Sequence, residues 1–98
     1  MNQCVFLGKL KNKELTVSEN IEKVDLVIQV ENKRKAKSDF KKMDYETLNF
    51  EAWGTAAISI FKNLEVDDYI LVVNSTARNN ENGVCFRINE FKIIKKEN

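Results

Sequence analysis

Residues 32 to 42 read NKRKAKSDFKK and set Lys33, Arg34, Lys35, Lys37, Lys41 and Lys42 around one acid, Asp39, and one aromatic, Phe40. Clustered ammonium and guanidinium groups neutralise phosphates, and a ring flanked by lysines can stack on a base while its neighbours hold the backbone. The same stretch also reads as a solvated surface loop, the usual fate of a charge run, with Phe40 tucked against its own domain. Net charge does not choose between these, because the chain carries a formal +1 overall. Only the uneven distribution points to a polyanion. From Asp44 to Tyr69 the balance reverses, with Asp44, Glu46, Glu51, Glu65, Asp67 and Asp68 against the single base Lys62.

Trp53, the one tryptophan, is the second chemical candidate. In YETLNFEAW, Leu48, Phe50 and Ala52 alternate onto one face and leave Tyr45, Thr47, Asn49, Glu51 and Trp53 on the other. A tryptophan on an open sheet face is either a stacking platform or a half-buried ring covering the mouth of the domain. Arg78 and Arg87 fall on or beside the last two strand-like stretches and could reach phosphate.

Other chemistries lack their residues. The chain has no histidine, and its three glycines, Gly8, Gly54 and Gly83, form no phosphate-cradling or nucleophile motif. The pair Asp67-Asp68 could hold magnesium, but adjacent surface acids more often open a turn. The expectation is a binding protein rather than an enzyme, with no cofactor. Cys4 and Cys85 lie far apart in apolar stretches, a pattern of buried reduced thiols rather than of a disulfide framework or metal site. The opening MNQCVFLGKL has an apolar run too short for a signal peptide or a membrane span, so the cytoplasm is the expected location.

At 98 residues, 43% apolar and 32% charged, the chain suits one globular domain. NQCVFLGKL reads as a strand with apolar residues on both faces. ELTVSENIEKV reads as a hairpin turning at Ser18-Glu19-Asn20, and VDLVIQVEN as a strand with Val24, Leu26, Ile28 and Val30 inward. After the basic stretch and the Trp53 strand, Gly54 breaks the pattern and Thr55 is expected to cap a short helix. Its apolar stripe would be Ala57, Ile58, Phe61 and Leu64. YILVVNSTA, a turn over RNNENG, and VCFRINEFKII complete the chain. Strands with one helix between the third and fourth define an all-β class, the OB-fold, a five-stranded Greek-key barrel. It is expected to span residues 1–94, with 95–98 a short C-terminal end. Phe6, Phe50, Phe61, Phe86 and Phe91 are assigned to the core or to a subunit contact.

MNQCVFLGKL, the acid–hairpin–strand segment ELTVSENIEKVDLVIQVENK, and FEAWG followed by a helix and YILVV together resemble the bacterial single-stranded DNA-binding proteins, from Met1 to about Ile94. The chain is similar also to the short primosomal replication protein. The resemblance implies single-stranded DNA as the partner, bound through Trp53 as a stacking aromatic and through the long basic loop with Lys33, Arg34, Lys35, Lys37, Lys41 and Lys42. Tyr45, Phe40, Arg78 and Arg87 would assist. It also implies a homo-oligomer, dimer or tetramer, with Val5 and Leu7 of the first strand facing another subunit. Thr47 stands where the family usually has a stacking tryptophan, the turn around Asn79 to Glu81 lacks its usual aromatic, and Glu51 puts an acid beside Trp53. The ending KIIKKEN leads one to expect neither the family's long linker nor its acidic tip. The competing reading is a protein-interaction module whose surface, made acidic by Glu46 and Glu51, docks a replication protein.

Overall fold

A computed structural model of the chain describes residues 5–32, 44–81 and 83–95. Five strands, β1 (Phe6–Ser18), β2 (Ile21–Asn32), β3 (Asp44–Trp53), β4 (Tyr69–Asn80) and β5 (Gly83–Ile94), and one helix, α1 (Thr55–Asn63), follow one another with α1 between β3 and β4. The strands close into a barrel in the order β1-β2-β3-β5-β4, with β4 returning to pair with β1. All pairings are antiparallel except β3 with β5, which run parallel through Asn49–Cys85, Phe50–Phe86 and Glu51–Arg87. This is the OB-fold that the element order predicts.

Alternation builds the core. Val24, Leu26, Ile28 and Val30 of β2 and Phe50 and Ala52 of β3 point inward and are buried, joined by Leu10, Ile70, Val72 and Ile88. Phe6, Phe50 and Phe86 meet in the interior with ring centroids 4.7 to 5.4 Å apart. The remaining rings assigned to the core, Phe61 and Phe91, pack at its margin. Gly8 lies where β1 and β2 leave no room for a side chain: a Cβ there would stand 2.5 Å from Ile28 Cγ2 and 2.7 Å from the Gln29 carbonyl oxygen.

Four local expectations need correction. The first strand and the first half of the hairpin are one 13-residue strand, bent by an irregularity between Leu10 and Asn12 rather than broken. The hairpin then reverses over Glu19 and Asn20, at φ 51 and 64, the left-handed pair of a two-residue turn matched to strand twist. β4 continues through Arg78, Asn79 and Asn80, and Asn80 pairs with Gly83 of β5, so strand takes most of the segment RNNENG that was assigned to a turn. Pairing to β5 overrides the turn preference of asparagine.

Gly54, not Thr55, is the N-cap of α1, at φ 65 and ψ −134, and Thr55 is already the first helical residue. The buried stripe of α1 is Ala57 and Ile60, continued by Leu64, with Phe61 at its edge. Ile58 lies about 100° around the helix from Ala57 and falls on the flank, which is why it does not join the core. α1 packs on β2, β3 and β1. Its C-terminal carbonyls are met by two lysines: Lys13 donates to the Phe61 carbonyl at 2.7 Å, and Lys95 to that of Asn63. Cations at this end suit the helix dipole. No helix among the described residues is long and apolar enough to cross a membrane.

Candidate nucleic-acid interface

β3 sends its odd-numbered residues to the outside of the barrel, which places Asn49, Glu51 and Trp53 on one outer face. Trp53 is half-buried and Glu51 is only 5% exposed. The cause is what surrounds the carboxylate. Trp53 Nε1 donates to Glu51 Oε2 at 2.8 Å, Arg78 of β4 donates an NH1 proton to the same oxygen at 2.9 Å, and Cys85 of β5 donates to Oε1 at 3.4 Å. Arg78 reaches Glu51 over the intervening β5, because Arg78 is paired with Cys85 and β5 runs alongside β3.

Trp53 has a further neighbour. Lys23 is its register partner on β2, and the Lys23 ammonium sits 5.3 Å from the centre of the indole ring and 3.4 Å from Asp25 Oδ1. A groove of about 430 Å³ runs beside this cluster, lined among others by Asn12, Glu14, Asp25, Asn49, Val84 and Cys85. Among the described residues no group of three histidines, cysteines or acids could hold a metal ion.

The electrostatics follow from these contacts. Burial pushes the Glu51 carboxyl up, but hydrogen bonds from Trp53 and Cys85 and the charges of Arg78 and Lys23 outweigh it, and the net shift is downward from 4.5. Glu51 is therefore an anion under all ordinary conditions. Burial first, then the adjoining Glu51, raises the Cys85 thiol to about 11, so the group stays protonated and unreactive.

The structure brings Trp53, Arg78 and Arg87 onto one outer face: Glu51 pairs with Arg87 between β3 and β5, and Arg87 is exposed. Tyr45 pairs with Glu31 at the opposite end of the β2–β3 ladder from Trp53. Lys33, Arg34, Lys35, Lys37, Phe40, Lys41 and Lys42 lie outside the described residues, as does Cys4. The basic stretch leaves β2 at Asn32 and enters β3 at Asp44, so its roots stand the full length of β3 from Trp53, roughly 30 Å at about 3.3 Å per residue. The acidic-surface reading also changes. Glu51 is buried and neutralised by Arg78, and Glu46 belongs to the opposite register of β3, so the two do not form one acidic surface. Sequence reasoning saw Glu51 only as an acid beside Trp53. The signal was the spacing Glu51-x-Trp53, which puts both side chains on one face; the covering residues come from β4 and β5.

A closed five-stranded barrel with its helix between β3 and β4 defines an OB-fold protein, and solved OB-folds superpose on it. PriB from Ralstonia solanacearum matches with a TM-score of 0.76 at 9% identity, covering 95% of this chain and 98% of that one. The single-stranded DNA-binding protein of Thermus aquaticus matches with a TM-score of 0.78 at 16% identity, over 97% of this chain and 50% of its own. A small single-stranded DNA-binding protein from Streptomyces coelicolor gives 0.72 at 13% identity, with 95% and 94% covered. Both kinds of protein that the sequence resembles are thus among its structural neighbours. No protein-family model and no curated protein matches the chain.

Proposed function

We propose that this protein binds single-stranded DNA without base specificity, as a non-enzymatic partner in DNA replication, recombination or repair. The observation that carries the reading is Trp53, held half-exposed on the outer face of an OB barrel beside Arg78 and Arg87. Stacking a base on an aromatic ring is worth about 1–3 kcal/mol and tolerates any base, since each offers a π-face. The roughly 30 Å between Trp53 and the roots of the basic stretch suits an extended strand laid along β2 and β3. Trp53 would take a base at one end, and Lys33, Arg34, Lys35, Lys37, Lys41 and Lys42, with Phe40 and Tyr45, would engage the strand at the other.

The functional form is a homo-oligomer. Leu7, on the outer face of β1, is 51% exposed and pairs with Leu71 of β4, and Val5, just before the strand, is 65% exposed. Val73, Tyr69 and Ile94, all exposed, extend the same apolar strip. Such a strip on a small domain is the kind of surface that a second copy covers.

The test uses the single tryptophan. The protein is titrated with oligo-dT of about 35 nucleotides, several times the roughly 4–16 nucleotides one OB-fold occupies, while Trp53 fluorescence and the anisotropy of a labelled oligonucleotide are followed. Saturable quenching that weakens with salt is expected, at about 0.7 decades of affinity per decade of salt for each phosphate neutralised. Replacing the six cations of residues 33–42 with glutamate should abolish binding. An unchanged affinity, or no anisotropy change even at low salt, would overturn the reading and leave a replication-protein docking module in its place.

A further inference from the structure

Glu51 is a carboxylate in an unusual position. It lies on the solvent side of β3 and yet is 5% exposed, while its partner Arg78 keeps 53% of its side chain in water. Desolvating a carboxylate is unfavourable unless donors replace the lost water, and an apolar residue would often serve stability as well. The charge is not what holds β3 in the barrel: its ladders to β2 and β5, and Phe50 and Ala52 inside, do that. What the carboxylate does is gather donors. Trp53 Nε1 and Arg78 NH1 meet on one atom, Oε2, at 2.8 and 2.9 Å, and the Cys85 thiol satisfies the other oxygen.

We infer that Glu51 is the positioning residue of this face, joining Trp53 and Arg78 through a single oxygen into one unit that takes one nucleotide, the ring for its base and the guanidinium for its phosphate. The inference rests on the single-stranded DNA reading above. Two chemical facts support it. Indole has one N–H donor, and Glu51 consumes it, so Trp53 can offer a base only its π-face and cannot read a base edge. Guanidinium has five donors in a rigid fork, and Glu51 takes one through NH1, which leaves an exposed edge for a phosphate. Because both groups bond one oxygen, Nε1 and NH1 are no further apart than two hydrogen bonds laid end to end. Ring plane and cation are therefore oriented before any strand arrives, which lowers the ordering cost of binding.

Three experiments test this. Without DNA, time-resolved anisotropy of Trp53 should show the indole moving with the barrel in the wild type and gaining fast local motion in E51A. With oligo-dT, at a temperature where both proteins are fully folded, E51Q should bind about tenfold more weakly, the size of one charge-assisted hydrogen bond. The combination of W53F, which keeps a π-face without the donor, with R78M should be strongly non-additive in the wild type and additive in E51A. Unchanged Trp53 motion, an additive cycle in both backgrounds, or tighter binding by E51Q would overturn the proposal, the last by making Glu51 a competitor of phosphate. A wild-type protein that does not bind oligo-dT at all would overturn the functional reading itself, a result separable from each of these.

Discussion

Cys85 donates its thiol proton to Glu51 Oε1 across the parallel β3–β5 pairing, and the two side chains, 6% and 5% exposed, are buried on what would otherwise be an open sheet face. Each shifts the other's titration, in opposite senses for stability. Glu51 has a folded pKa below its ordinary 4.5. Its ionised contacts therefore stabilise the fold above pH 4.5, and that contribution is lost as pH falls through the depressed value. Cys85 is raised from 9.0 to about 11. Its contribution is complete below pH 9.0 and is lost as pH rises toward 11, because the unfolded thiol ionises first. Urea midpoints should be flat from pH 5 to 8 and fall on both sides, and C85A should remove the alkaline fall and shrink the acid one, because the thiol's hydrogen bond helps to depress Glu51.

Gly8 and Gly54 require glycine for different reasons. At Gly8 the obstacle is packing: a Cβ would meet the Gln29 carbonyl oxygen at 2.7 Å, and backbone cannot swing aside as a side chain can. G8A should cost about 1–3 kcal/mol in denaturant unfolding. At Gly54 there is open space, but φ is +65. G54A should cost a similar amount, about 1–3 kcal/mol, through backbone conformation alone, and larger side chains there should cost little more.

Lys23 covers part of the Trp53 ring from 5.3 Å while Asp25 holds its ammonium. Removing it should open the ring. K23A should raise the acrylamide quenching constant of Trp53 fluorescence and cost only about 0.5–1 kcal/mol of stability, the range of an exposed cation–π contact.

Leu7 is half in water and contributes little to the barrel of its own chain. If the proposed homo-oligomer forms through β1, L7D should shift the sedimentation coefficient to that of a monomer while the barrel stays folded by circular dichroism. An L7D protein that sediments as the wild type would place the subunit contact elsewhere.

Much of the fold was legible in sequence because burial on a strand has a period of two. Val24, Leu26, Ile28 and Val30, then Leu48, Phe50 and Ala52, identify their own inward faces with no knowledge of the partner strands. The helix was legible too, and most of its face: Ala57, Phe61 and Leu64 pack inward as expected, but Ile58 was included where the chain turns Ile60 inward. About two and a half turns of mixed apolar residues do not set their own rotation; the strands β1, β2 and β3 on which the helix packs do.

The alternation of YETLNFEAW determines by itself that Glu51 and Trp53 share the outer face of β3, since successive side chains must point opposite ways. That Glu51 should be buried there, ionised and shared between an indole and a guanidinium was decided only by tertiary structure. Its covering residues come from 27 and 34 positions away. Closure of β4 onto β1 and the parallel pairing of β5 beside β3 bring Arg78 and Cys85 to it, and local periodicity carries no record of which strands become neighbours. The separation of Trp53 from the basic stretch has the same origin. Asp44, where that stretch enters β3, and Trp53 lie at opposite ends of one strand because the chain between them runs straight.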